Sequence, residues 1–271
     1  DLPKDRTEVR VEAKATYDVG ALLGRMRAAQ WRDRMALRTL EGRLTVDLHV
    51  QGPQGTGADL GFTFRTFEAA AEPEELLQQE VRFNGVKAKL TGEVQLPIVE
   101  ARTSMAVPVA LTLTERFRYR DGGPGERPGI RILRFEPVDG DPTLPSGTLD
   151  VEESTGRILV ERSERRDLPG IVKSEQRILR YGEPAPGHWR LLEARTFERW
   201  VTSRGVSQVQ RHLVYTDLRI NAEGFERRRA EARASDATML RQTVEGLRYY
   251  TRRSDGTRVL EAKPKTSGRA L

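Results

Sequence analysis

Hydrophobic and polar residues alternate with a period of two along most of the chain, which is typical of antiparallel strands that bury one face. The segment 18–40 differs, because its apolar residues recur at the spacing of a helix. Asp18 is placed to cap this helix. Its apolar stripe consists of Val19, Leu22, Leu23 and Met26, and the pattern continues less cleanly through Trp31, Met35 and Leu37 to about Leu40. The pattern therefore predicts one early amphipathic helix followed by strands.

Turn signals divide the rest of the chain into about ten or eleven strands. Asn84-Gly85 is the strongest short hairpin signal. A second hairpin, TLDVEESTGRILVER, spans 148–162 with its turn at 153–156. Because consecutive strands are joined by short turns, we expect them to pair as antiparallel neighbours. A basic helix follows, with Asn221 as its predicted cap.

These elements predict a mainly β fold with some α. We expect a large curved antiparallel meander sheet, a half-barrel, wrapped around the N-terminal amphipathic helix. Residues 1–220 would form this half-barrel domain, and residues 221–271 a C-terminal segment with short helices, a hairpin and a flexible tail. The stretch 93–112 stays unassigned.

Composition removes several classes of protein. The chain has 271 residues and no Cys, so disulfide scaffolds, thiolate metal sites and a Cys nucleophile are excluded. No apolar run approaches the ~20 residues that a transmembrane helix needs. The sequence begins with Asp1, which fits a secretory signal that has been removed, so we expect a periplasmic or otherwise exported protein.

No residue pattern predicts catalysis. The three His residues, His49, His188 and His212, lack metal-ligand spacing, and no serine lies in a nucleophile elbow. We therefore predict no enzyme activity, no metal and no cofactor. A hydrolase with an unrecognised site is the least favoured alternative.

The net charge of +6 favours an anionic partner, although the same charges could be solvated strand faces. We expect no nucleic-acid partner. The basic helix is the candidate surface for a partner, and solvation is again the alternative, because acidic residues interrupt it. Its predicted partner-binding residues are Arg227, Arg228, Arg229 and Arg233.

Apolar strand faces carry the main hypothesis. We expect them to converge on one interior, which is either a filled core or a ligand cavity. A curved sheet of this many strands encloses more volume than one helix fills, which favours a cavity. Its predicted lining is Leu60, Phe62, Phe64, Phe117, Tyr119, Leu149, Val151, Ile158, Val160, Leu213 and Tyr215.

The order of elements over residues 15–219 resembles the LolA/LolB-like periplasmic lipoprotein-carrier superfamily, which includes RseB-like sensors. The likeness lies in the helix at 18–40, which runs into GRLTVDLHV, and in the hairpin at 148–162. The resemblance implies a half-barrel whose apolar cavity holds acyl chains. We therefore expect a non-enzymatic carrier or sensor that binds a lipid or lipoprotein acyl chain. The alternative is an interaction module that docks an envelope protein through its basic C-terminal face.

Overall fold

Within the described residues, one long antiparallel sheet carries two helices, one on each of its faces. The computed structural model describes residues 17–53, 55, 57–70, 72, 74–88, 116–234, 238–243, 246–252 and 258–260. The helices are α1, Val19–Ala36, and α2, Phe225–Arg233. The strands are β1 Thr39–Gln51, β2 Gly57–Ala69, β3 Glu75–Phe83, β4 Val86–Ala88, β5 Phe117–Pro124, β6 Ile130–Pro137, β7 Ser146–Glu152, β8 Ile158–Arg165, β9 Val172–Ala185, β10 His188–Thr202, β11 Gly205–Ile220, β12 Thr238–Thr243, β13 Gly246–Arg252 and β14 Arg258–Leu260.

The strands lie in the order β14-β13-β12-β3-β2-β1-β11-β10-β9-β8-β7-β6-β5, and β4 pairs with β3. Two meanders, β1–β4 and β5–β11, therefore meet where β11 pairs antiparallel with β1, from Leu40 opposite Ile220 to Gln51 opposite Gln208. The predicted curved half-barrel of antiparallel strands with an early helix is confirmed. The junction of the two meanders was not predicted, because no local pattern encodes it.

The ends of α1 have clear local causes. The Asp18 carboxylate accepts a hydrogen bond from the Ala21 amide at 2.9 Å, which confirms the predicted cap. The helix ends at Ala36, before the predicted end at residue 40, because β1 begins at Thr39. Asn221 stabilises the connection between α1 and β1, because its side-chain oxygen accepts a hydrogen bond from the Thr39 amide at 3.0 Å. Asn221 therefore does not cap α2, whose N-cap is Gly224.

Each strand presents alternate residues to the two faces of the sheet. We call the face on which α1 packs the inner face and the opposite one the outer face. Leu44 and its partner Phe64 lie on the inner face, whereas Glu41 and its partner Phe67 lie on the outer face, where Phe67 meets Phe225 of α2 at a ring distance of 5.9 Å.

Two expectations about which face a side chain occupies are wrong. Trp31 and Met35 do not continue the buried stripe of α1 but are exposed. Ile158 and Val160 do not share a face, because a bulge shifts the register between Asp150 and Val151. Ile158 faces inward, whereas Val160 lies on the outer face.

The predicted C-terminal segment continues the same sheet, because β12 pairs with β3 from Thr238 opposite Gln78 to Arg241 opposite Glu75. The division into two units at residue 220 stays a prediction. The stretch 93–112 and the tail from residue 261 onward lie outside the described residues.

Candidate functional site

The inner face carries two groups of apolar side chains. The first, which we call the capped cluster, lies where α1 crosses β5 to β8. Its rings include Phe117 and Phe135, in an edge-on contact at 6.0 Å. Its buried members are Leu22, Met26, Phe117, Leu133, Phe135, Leu149, Val151 and Ile158.

The second group, the strand cluster, consists of side chains from β1, β2, β3, β9, β10 and β11. Within the described part of the chain it contains no helix residue. Leu76 of β3 and Leu179 of β9 both belong to it, although four strands lie between β3 and β9 in the sheet. Its buried members are Leu44, Val46, Leu48, Phe62, Phe64, Leu76, Val81, Leu179, Ala194, Val209 and Leu213.

Ten of the eleven predicted cavity residues lie in or against these two clusters. Tyr181 is partly buried and packs against both, so it links them. Val160 is the exception, on the outer face. The strand cluster takes Phe62, Phe64 and Leu213, with Leu60 and Tyr215 packed against it, and the capped cluster takes Phe117, Leu149, Val151 and Ile158, with Tyr119 packed against it.

The turn of the β7–β8 hairpin packs directly against the backbone of α1, and we call this contact the seat of α1. Gly156 has φ +74° and lies directly against the helix backbone, where an added Cβ would come within 2.5 Å of the Arg25 carbonyl carbon. Only glycine combines this backbone conformation with so close an approach. The hairpin at 148–162, on which the family resemblance partly rests, therefore has a structural role. Its turn contacts the backbone of α1.

Polar contacts flank this seat. The Tyr17 hydroxyl donates to Glu153 at 3.1 Å, and the guanidinium of Arg131 lies 4.0 Å from the centre of the Tyr17 ring. Further along α1, Asp33 faces Arg157 at 4.0 Å. These contacts fix the helix at the β6–β8 end of the inner face, beside the capped cluster.

A buried group of polar side chains, which we call the polar block, occupies the inner face of β8 to β11. Arg211 pairs with Glu198 at 3.0 Å, and both side chains are buried. Glu175 receives Arg165 at 3.0 Å and also Arg177. The members are Glu161, Ser163, Arg165, Glu175, Arg177, Thr196, Glu198 and Arg211. Three arginines thus meet three glutamates, which limits the cost of burying charge.

Glu161 has apolar neighbours on both sides, because it lies opposite Leu149 on β7 and Leu179 on β9. It is 3% exposed. Ser163 donates to one carboxyl oxygen at 3.2 Å, and the other oxygen has no hydrogen-bond partner among the described residues. Burial raises the pKa of Glu161 to about 7, against the opposing effects of the Arg177 charge and the Ser163 hydrogen bond.

The polar block was not predicted, although the alternation of residues along the strands contains a signal for it. Arg211 shares a face with Leu213, and Arg177 shares one with Leu179, so the apolar phase of each strand changes into a charged phase. Charged residues on strands are more often exposed to solvent. The charged residues of the polar block are buried only because of the tertiary structure around them.

The predicted partner-binding arginines of α2 are largely neutralised within the chain. Arg229, with a side chain 4% exposed, pairs with Glu75 at 3.0 Å, and Arg233 contacts the same carboxylate. Arg228 donates to Glu41 at 2.6 Å. Arg227 is the exposed member, 3.9 Å from Glu231.

Glu75 anchors α2 to the outer face. Burial alone raises the pKa of this carboxyl, but the hydrogen bonds from Arg233 and Arg229 outweigh burial and lower the pKa below its ordinary value. The basic helix thus uses its charge mainly to hold itself on the sheet.

The described residues contain no group of three acidic or histidine side chains that could hold a metal ion. In the same part of the chain, no helix has the length and apolarity to span a bilayer.

These features define a class of architecture: an open antiparallel half-barrel with a helix across part of an apolar inner face and a buried polar block beside it. No protein-family model matches the chain, and no curated protein matches its sequence.

Solved structures with a similar fold include a DUF1329 family protein from Desulfovibrio piger, at 12% identity and a TM-score of 0.39, covering 76% of this chain and 94% of that chain. An outer membrane lipoprotein-sorting protein domain from Vibrio parahaemolyticus has 12% identity and a TM-score of 0.40, covering 78% of this chain and 97% of that chain. A LolA superfamily protein from Nitrosomonas europaea has 12% identity and a TM-score of 0.34, with 78% and 96% covered. The superfamily that the sequence resembles is thus among the structural neighbours.

Proposed function

We propose that this protein is a non-enzymatic carrier or sensor of the cell envelope, which binds the acyl chain of a lipid or lipoprotein on the inner face of its half-barrel. The observation that carries the proposal is the strand cluster. It gathers apolar side chains from six strands on the inner face, and among the described elements α1 packs on the other cluster.

An acyl chain suits this surface because it is linear, flexible and apolar. Each buried CH2 group contributes about 0.8 kcal/mol, so a chain along the strand cluster would bind with useful affinity. Tyr181 lies between the two clusters, at the boundary between the surface that α1 covers and the strand cluster. We place the chain there, with the polar block beside it on the same face.

The test uses the full chain after delipidation and refolding, titrated with a dansyl-labelled fatty acid. We expect saturable binding. Leu60→Gln introduces an amide against the strand cluster and should weaken binding about ten-fold or more, because it sets a polar group against the acyl chain. Leu60 is only partly buried, so the variant is expected to fold.

The matched control is Phe197→Gln, because Phe197 is an exposed apolar residue on the outer face, opposite Gln210 and Gln176. It should leave the affinity unchanged. If the folded, delipidated protein does not bind, or if both variants weaken binding equally, the proposal is wrong. Mass spectrometry of an organic extract of the purified protein is an independent readout of bound lipid.

A further inference from the structure

The outward side of α1 carries an exposed apolar strip, which packs against no other element among the described residues. Trp31 is 57% exposed and Met35 64% exposed, one helical turn apart. Gly24 and Ala28 are exposed on the same side. At about 100° per residue these four positions project within about 60° of one another. We call them the apolar strip.

Arginines border the apolar strip on both sides. Arg27 and Arg34 lie beyond one edge, and Arg25 and Arg32 beyond the other, each about 40–60° from the strip around the helix. All four are exposed, and none forms an ion pair with another residue in the described part of the chain. We call them the flanking arginines.

Within α1, no acidic residue offsets this charge on the outward side. The one acidic residue within α1 is Asp33, which is turned toward the sheet, where Arg157 lies 4.0 Å away. The outward side therefore combines an indole ring, a thioether and four cationic side chains that have no ion-pair partner among the described residues. On α2, by contrast, three of the four arginines contact buried carboxylates.

We propose that the outward side of α1 docks on the surface of an anionic phospholipid bilayer. The helix would lie parallel to the membrane, with Trp31 and Met35 at the level of the head groups and the flanking arginines against lipid phosphates. Tryptophan favours this interface, and long arginine side chains can reach phosphates on both sides of a helix that lies on it. Charge complementarity thus selects an anionic membrane, and this surface is separate from the inner face proposed to bind an acyl chain.

The experiment measures flotation of the full chain with vesicles of phosphatidylcholine alone and of equal parts phosphatidylcholine and phosphatidylglycerol. We expect binding to the anionic vesicles and little to the neutral ones, with a strong decrease at high salt. A basic residue near an anionic surface strengthens binding about five-fold, so Arg27→Gln combined with Arg32→Gln should weaken it about 20-fold.

The matched control is Arg227→Gln, which removes an arginine with a side chain 77% exposed from the other helix. It should change vesicle affinity less than two-fold. Trp31→Phe supplies a second readout: bromine-labelled lipids should quench the fluorescence of the wild-type protein more than that of this variant.

Three outcomes would overturn the proposal. They are no binding to anionic vesicles, equal losses for the control and the double variant, and no difference in quenching between wild type and Trp31→Phe. Binding to an acidic polypeptide in the absence of vesicle binding would also overturn it and assign the surface to a protein partner. All the substituted side chains are exposed, so we expect each variant to keep the circular dichroism spectrum and the melting temperature of the wild type. Both are measured for every variant as a control for folding.

Discussion

The two helices are both rich in arginine but use it in opposite ways. On α2, Arg229 is buried against Glu75, and Arg228 contacts Glu41. On α1, Arg25 and Arg32 are exposed, with no ion pair among the described residues, and the helix is held by apolar packing and by the turn at Gly156. The number of charges on a helix therefore does not decide whether those charges are available; the carboxylates of the neighbouring strands do.

The largest expected effect tests the attachment of α2. Arg229→Met should lower the free energy of unfolding by about 3–5 kcal/mol, because the buried Glu75 carboxylate loses one of its partners. Urea denaturation measures this loss. Arg227→Met is the control and should change stability by less than about 0.5 kcal/mol. Equal effects of the two substitutions would contradict the assignment of Arg229 as an anchor.

The next effect tests the attachment of α1. Gly156→Ala should cost about 3–4 kcal/mol, because the new Cβ must displace the helix backbone and the residue has a positive φ. Gly170→Ala separates these causes, since Gly170 has φ +82° but open space around it, and should cost only about 1 kcal/mol. Similar losses in the two variants would mean that the turn does not seat α1.

The contributions of Glu161 on the inner face and Glu75 on the outer face to the free energy of unfolding should change with pH in opposite directions. Because the pKa of Glu161 is raised from 4.5 to about 7, the unfolding free energy should fall by about 3 kcal/mol as pH rises through this window. The lowered pKa of Glu75 makes its contribution present above its ordinary pKa and lost in acid. Glu161→Gln should remove the decrease between about pH 4.5 and 7 and leave the acid limb.

Denaturation of the wild type and of Glu161→Gln at a series of pH values checks this. An unchanged slope in the variant would show that another group titrates in that window.

The smallest expected effect is on α1 itself. Arg32→Gln should change the unfolding free energy by less than about 0.5 kcal/mol, because the exposed guanidinium has no ion pair among the described residues. The same type of denaturation experiment gives the value. A loss comparable to that of Arg229→Met would remove the distinction between the two helices.

The fold could be predicted where local chemistry determines it. Asp18 has a side chain that caps a helix, and Asn84-Gly85 supplies the positive φ values that a tight hairpin needs, +47° and +79°. The alternating strands placed most predicted cavity residues on the correct face. Val160 was misplaced because a single extra residue at a bulge reverses the face of every residue beyond it.

The candidate site was less predictable because it depends on tertiary neighbours. The buried state of Arg229 depends on Glu75, which is distant in sequence. Trp31 and Met26 both have helical spacing, but only contact with the sheet decides which is buried. Apolar residues on two opposite sides of α1 cannot be separated by periodicity alone.

The pairing of β1 with β11 has a consequence for how the chain reaches its native state. Leu40 lies opposite Ile220, so the edge of β1 that pairs with β11 has no complete partner until residue 220 has been synthesised. Contacts of such long sequence separation slow folding and leave an apolar edge open to aggregation in the meantime. A nascent chain of this architecture would therefore benefit from a chaperone that covers the β1 edge until residue 220 has emerged.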